Sequence, residues 1–189
     1  YVRSDKQKDN LNDLVLSELN LIANSSYKGF EAKKLHLLFQ AAYYLNTGNY
    51  KSAIRFYQEL IALFESNQHL ILNPPIYYLS AIKGVLDSLH TAGLYKEMPF
   101  FIERLKKIQQ GDYATEFLLE ISACIYQYEQ TALINTGKLE EALYLSEENE
   151  DSLFKKVGLL RPETQLKLYL NTAILHLCLG NPGKARKSM

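Results

Sequence analysis

The four histidines and two cysteines are the residues of this chain best suited to metal binding or nucleophilic chemistry. No two histidines stand three or four residues apart, the helical spacing that brings ligands to one face, and HExxH is absent. His176 and Cys178 are two residues apart, so a helix would point them to different sides. Because a metal site needs several convergent ligands, we predict no metal and no cofactor. We instead expect these side chains to pack in the core or in a groove, with both cysteines as buried free thiols. The residues concerned are His36, His69, His90, His176, Cys124 and Cys178.

Other catalytic motifs are also missing from the sequence. No glycine-rich phosphate loop follows a strand pattern, and Gly-x-Ser-x-Gly does not occur. The acidic run from Glu147 to Asp151 falls at a predicted helix end, where negative charge opposes the helix dipole, so we expect an exposed, frayed end. We expect core or rim positions, not a cofactor site, for Tyr43, Tyr44, Tyr126 and Tyr128. The sequence therefore predicts a protein that is not an enzyme.

Composition restricts the classes of partner. The chain has 189 residues, 47% of them apolar, which is typical of a folded domain. Lys plus Arg equals Asp plus Glu, 21 against 21, which argues against a general nucleic-acid or membrane-surface binder. No apolar run has the length of a membrane span, so we expect a soluble, cytoplasmic protein. The start at Tyr1 and the end at Met189, just after a predicted helix start, look like cuts from a longer protein.

Four glycines recur at nearly constant spacing and indicate how the chain is organised. Gly48, Gly93, Gly137 and Gly180 are separated by 45, 44 and 43 residues. The residue five positions after each glycine is Ala53, Met98, Ala142 or Ala185. A period of this length indicates stacked helix pairs, with each glycine in the turn inside a pair.

Apolar periodicity predicts the helices themselves. Asn49 is expected to cap one helix, and Pro75, Pro99, Pro162 and Pro182 suit first turns. No window alternates between polar and apolar residues, so we predict no sheet. The predicted helices cover 7–24, 30–46, a stripe between residues 53 and 64, 76–91, 95–108, 113–135, 139–148, 162–179 and a last helix from 182.

This pattern resembles the tetratricopeptide-repeat family. The favoured positions of that family are matched in order by Leu37, Ala41, Tyr44, Gly48, Tyr50, Ala53 and Tyr57. The period is longer than the family's unit of about 34 residues, which implies lengthened helices. The resemblance implies an all-α, right-handed α-solenoid of antiparallel helix pairs, with about eight helices. The implied single domain, 1–189, has an N-terminal helix in 1–28, repeat 1 in 29–72, repeat 2 in 73–112, repeat 3 in 113–160 and an incomplete repeat 4 in 161–189.

The resemblance also implies a concave groove lined by the first helix of each pair. Its ends would be apolar, as at Leu38 and Phe39, and its centre polar, which suits an extended or helical peptide. The family's clamp for chaperone tails does not carry over, because Leu38 and Ala42 stand where that clamp needs Lys and Asn. The groove candidates are Lys83, Asp87, His90, Gln127, Tyr128, Thr131, Asn135, Lys167 and Asn171.

Two functions fit these observations. The first is a non-catalytic scaffold that binds a protein or peptide. The alternative is a ligand-sensing or regulatory repeat domain of a longer signalling protein, such as a transcription regulator or a histidine kinase, which the ends that look like cuts favour. Long-helix variants of this kind resemble peptide-receptor regulators and the sensor halves of bacterial signalling proteins. A DNA-binding or kinase segment in the full-length protein would favour sensing. A third, weaker hypothesis is an enzyme, and both a cleft with coupled titrating groups and turnover in an activity assay would be needed to support it.

Overall fold

A computed structural model describes residues 29–71 and 73–188, and its regular elements in those ranges are all helical. The all-α class is thereby confirmed for this part of the chain, whereas the predicted helix 7–24 lies outside it. Within the same ranges, no helix is long and apolar enough to cross a lipid bilayer. The α-helices are α1 (Phe30–Asn46), α2 (Tyr50–Ser66), α3 (Ile76–Thr91), α4 (Met98–Gln109), α5 (Thr115–Asn135), α6 (Leu139–Glu148), α7 (Pro162–Cys178) and α8 (Pro182–Lys187).

The observed helix bounds follow the predicted ones closely. α1, α3 and α6 begin and end at the predicted residues. α4 begins later than predicted, because Tyr95–Glu97 forms a short 3₁₀ turn before it and Pro99 occupies its first turn. α5 begins at Thr115 because the backbone of Ala114 is extended, with φ −57° and ψ 144°.

The four recurring glycines all end helices in the same backbone conformation. Their φ angles lie between 72° and 79°, in the left-handed region that favours glycine. At the third turn, the Gly137 N–H donates to Ile134 O at 3.1 Å and the Lys138 N–H donates to Leu133 O at 2.9 Å. The same two bonds recur at the other three glycines and satisfy the last carbonyls of each helix. The prediction that these glycines are helix-ending turns is confirmed.

The chain divides into two compact units, Tyr1–Ser88 and Leu89–Met189. In the first compact unit, α1 and α2 pack together along their length. The side chain of Asn49 accepts a hydrogen bond from the Ser52 N–H at 3.2 Å, which confirms Asn49 as the N-cap of α2. The predicted stripe of α2 is buried at five of its six positions, Ala53, Tyr57, Leu60, Ile61 and Phe64, and Phe56 is half-buried.

One expectation for α1 is only partly met. Apolar residues occupy nearly the whole circumference of this helix, which predicts an inner helix covered on most sides, yet Leu35 and Phe39 are exposed. Each residue of a helix turns by about 100°, so both lie on the side opposite the buried Leu37. Among the described residues of the first compact unit, α1 is therefore covered on one side and leaves apolar side chains exposed on the other.

In the second compact unit, α5 is the central helix. It packs against α4, α6 and α7, and α7 packs against α8. The residues that follow the turn glycines by five positions in this unit, Met98, Ala142 and Ala185, are all buried. Small or slender side chains at these places let neighbouring helices approach closely.

Burial of the cysteines differs from the expectation at one position. Cys124 is buried and free, as expected, whereas Cys178 is free but exposed. Cys178 is the last residue of α7 and shares a helix face with the exposed Ile174, four residues earlier. The prediction of two buried thiols is therefore wrong for Cys178.

Glu120 of α5 holds the start of α7. Its carboxylate accepts hydrogen bonds from the Arg161 backbone N–H at 3.0 Å, the Arg161 Nε at 3.3 Å and the Thr164 hydroxyl at 3.0 Å. Burial opposes the charge and would raise the pKa of Glu120, but these hydrogen bonds and the guanidinium outweigh it and lower that pKa below its usual 4.5. The carboxylate is thus stabilised in its charged form by folding.

We expect Glu120→Gln to lower the free energy of unfolding by about 1–2 kcal/mol near pH 7, since hydrogen bonds to a charged group are lost. A pKa that folding lowers contributes stability above the unfolded pKa, and this stability is lost as the pH falls through the folded pKa. The difference from wild type should therefore shrink below about pH 4, as measured by urea unfolding across pH. Glu116→Gln, an exposed change on the same helix, is the control. A difference that stays constant down to about pH 3 would contradict the assignment.

Candidate functional site

The helices α4, α5 and α6 enclose a cleft of about 620 Å³ in the second compact unit. A volume of this size is typical of ligand-binding pockets. The lining positions on each helix, some of them adjacent pairs, recur at steps of three or four residues, so each helix presents one face to the cleft. This α4–α6 cleft is lined by Pro99, Ile102, Glu103 and Lys106 of α4, by Glu129, Ala132 and Leu133 of α5, and by Glu140, Glu141, Tyr144, Leu145 and Glu148 of α6.

The floor of the α4–α6 cleft is apolar. Ile102 and Ala132 are buried, and Leu133 and Leu145 are half-buried beside them. Tyr144 stands on the rim with 61% of its surface exposed. An exposed aromatic ring above an aliphatic floor offers apolar surface that a partner could remove from water.

One lysine joins two walls of the cleft. Lys106 Nζ lies 2.8 Å from Glu129 Oε1 of α5 and 3.0 Å from Glu103 Oε1 of α4. The hydrogen bond with Glu129, then that with Glu103, raises the pKa of Lys106 above its usual value, although burial acts in the opposite direction. The ammonium therefore stays charged and its charge is shared between two carboxylates.

The α6 wall has an excess of negative charge. Glu141 pairs with Lys138, Nζ to Oε1 at 2.9 Å. In residues 29–71 and 73–188, Glu140 and Glu148 have no cationic partner. A hydrogen bond to Glu148 and the charge of that carboxylate raise the pKa of the Tyr144 hydroxyl. The wall thus presents carboxylates able to attract a cation.

The structure joins by hydrogen bonds four of the residues that the sequence places in the concave groove. The Asn171 amide of α7 donates to Gln127 O at 3.2 Å and to Thr131 Oγ1 at 3.1 Å, both on α5. The Asn135 amide donates to Thr131 O at 2.8 Å, within its own helix. The two hydrogen bonds of Asn171 join α5 to α7, so the polar groups between these helices already have a structural role.

The other groove candidates are dispersed. Tyr128 is 2% exposed, so its side chain packs inside and a change there would alter folding as well as any binding. Lys83 and Asp87 are half-buried and belong to the first compact unit. His90 and Lys167 are exposed in the second compact unit, where the His90 ring lies 5.9 Å from that of Tyr95. Ligand contact by these residues stays a prediction.

A smaller cleft of about 370 Å³ lies on another side of α6. It is lined in part by His176, Lys184 and Glu150. In the described part of the chain, no three His, Cys, Asp or Glu side chains are grouped so that they could hold a metal ion.

The α4–α6 cleft was missed by reasoning from the sequence. Its glutamates come from three helices, and Glu148 belongs to the run that the sequence presents as a helix end. The run from Glu147 to Asp151 is exposed, as expected, but Glu148 also lines the cleft. A usable signal was the set Glu140, Glu141 and Glu148 on one face of α6.

Comparisons of the chain with protein-family models, with curated proteins and with solved structures found no match.

Proposed function

We propose that the chain is a non-catalytic scaffold that binds a protein or peptide, built as a tetratricopeptide-repeat-like right-handed α-solenoid. The identical left-handed turns at 43- to 45-residue intervals support repeated helix pairs. Hydrogen bonds between positions 44 residues apart add further support. Thr164 bonds to Glu120, and Asn171 bonds to Gln127, which is the contact expected between equivalent helices of stacked repeats.

The observation that carries the binding role is the α4–α6 cleft. Its walls are packed helices, so a partner would meet a surface that is largely preformed. Its apolar floor and the exposed ring of Tyr144 supply the contacts that dominate affinity in most interfaces. We place the binding site here, on the faces of α4, α5 and α6 that share this cleft.

A library of random peptides of about 16 residues, displayed on phage and panned against the whole chain, tests this function without assuming a chemistry. The enriched peptides should lose about tenfold in affinity with Tyr144→Ala, since an exposed aromatic anchor is removed. Binding is measured by fluorescence anisotropy with the synthesised peptides.

Phe100→Ala is the matched control. Phe100 is on α4, is 63% exposed against 61% for Tyr144, and does not line the cleft. The peptides should bind this variant as they bind wild type. Enrichment of no peptide, or peptides equally insensitive to both changes, would contradict a binding role for the cleft.

A further inference from the structure

We infer that the occupant of the α4–α6 cleft is a basic amphipathic helix of a partner protein, with aliphatic side chains on one face and Lys or Arg beside them. This inference rests on the proposed function and adds the chemistry and conformation of the partner. Shape and charge support it independently.

The shape of the cleft favours a helix over an extended segment. The lining positions of α4 run from Pro99 to Lys106, which at 1.5 Å per residue is a length of about 10 Å. An extended peptide would place only about three residues along this length, and alternate side chains would point away. A helix places about two turns there, with three or four side chains on the facing side, at the same period as the walls.

The negative charge of the cleft favours a partner segment with positive charge. Five glutamates and one lysine line it, and the ammonium of that lysine is already shared by Glu129 and Glu103. Acidic or phosphorylated segments would meet the carboxylates of Glu140 and Glu148, which have no cationic partner among the residues that the structure describes, and would be repelled. The whole chain carries equal numbers of basic and acidic residues, 21 of each, so the excess of acidic residues that lines the cleft does not come from the composition of the chain as a whole.

The apolar floor excludes a ligand that is only a cation. The half-buried side chains of Leu133 and Leu145 offer nothing to an ammonium group, and their remaining surface is covered only by an aliphatic or aromatic side chain. Aliphatic groups for the floor and cations for the rim occur side by side on an amphipathic helix with a basic face.

Four labelled peptides of about 14 residues test the inference by fluorescence anisotropy at low ionic strength. The basic helix peptide has Leu at helical three- and four-residue spacing with Lys beside it. The second peptide replaces Lys by Glu, the third replaces Leu by Ala, and the fourth has the first composition with Leu at every second position. The first should bind most tightly, and each of the others about tenfold or more weakly.

The double substitution Glu140→Gln and Glu148→Gln should weaken the basic helix peptide about five- to tenfold, and added salt should reduce this difference. The pair Glu116→Gln and Glu163→Gln makes the same change of charge at exposed positions outside the cleft and should change binding less than about twofold. If the acidic peptide binds as tightly as the basic helix peptide, the inferred positive charge of the partner is overturned. If the peptide with Leu at every second position binds equally tightly, the inferred helical conformation of the partner is overturned. If the peptide with Ala in place of Leu binds equally tightly, the inferred aliphatic contacts with the floor are overturned.

The library experiment separates this inference from the function on which it rests. If library peptides bind through Tyr144 while the basic helix peptide does not bind, the scaffold function stands and the basic amphipathic helix is overturned. If neither kind of peptide depends on Tyr144, both proposals are overturned.

Discussion

Replacing Gly84 by alanine should lower the free energy of unfolding by about 2–3 kcal/mol, because a helix position without a side chain is occupied by a neighbouring ring. A Cβ added at Gly84 would lie 2.2 Å from Cζ and 2.3 Å from Cε1 of Tyr57. Tyr57 is only 6% exposed, so the ring cannot move aside without displacing its neighbours. The overlap should outweigh the helix preference of alanine over glycine, about 1 kcal/mol. Urea unfolding followed by circular dichroism measures the change.

Two further variants show whether the ring causes the loss. Gly183→Ala, in α8, places a Cβ where no atom lies within 4 Å, and it should be neutral or slightly stabilising. In a Tyr57→Leu background, where the overlapping ring atoms are gone, adding Gly84→Ala should cost little. An equal loss in both backgrounds would show that the contact between Tyr57 and residue 84 is not the cause.

Local signals explain why the helices and turns could be predicted from the sequence. The glycine turns, the Asn49 cap and the prolines of first turns act within four or five residues, so their chemistry is readable without the fold. The buried positions Ala53, Met98, Ala142 and Ala185 follow from the same spacing. The presence of the helices and most of their bounds were therefore predictable, and the all-α fold class followed from them.

Contacts between helices could not be predicted in the same way. Nothing local to Gly84 reveals the ring of Tyr57, which arrives from another helix. The Asn171 amide was expected in a groove, but the structure uses it between α5 and α7. The α4–α6 cleft joins Glu103, Glu129 and Glu148 from positions far apart in sequence, so its acidity depends on how three helices pack.

Tyr126→Ala should have the largest effect in the second compact unit, a loss of about 3–5 kcal/mol in the free energy of unfolding. The Tyr126 side chain is 1% exposed within a cluster that includes Leu153, Leu160 and Leu168. Its ring meets that of Phe154 edge to face, with centroids 5.4 Å apart. Removing the ring would leave a cavity between α5, α7 and the segment that joins α6 to α7. Urea unfolding again gives the free energy.

The substitution Tyr126→Phe separates the contribution of the hydroxyl to stability from that of the ring. Gln130 Nε2 donates to Tyr126 Oη at 2.6 Å, and this hydroxyl donates to Ser146 Oγ at 3.2 Å. The phenylalanine variant keeps the packing but leaves the amide of the fully buried Gln130 without its acceptor, which should cost about 1–2 kcal/mol. Adding Gln130→Met removes that unpaired donor and should recover part of the loss, because replacing both partners by apolar groups is cheaper than removing one. If Tyr126→Phe is as stable as wild type, the ring alone holds this core, and the hydrogen bond from Gln130 contributes nothing to it.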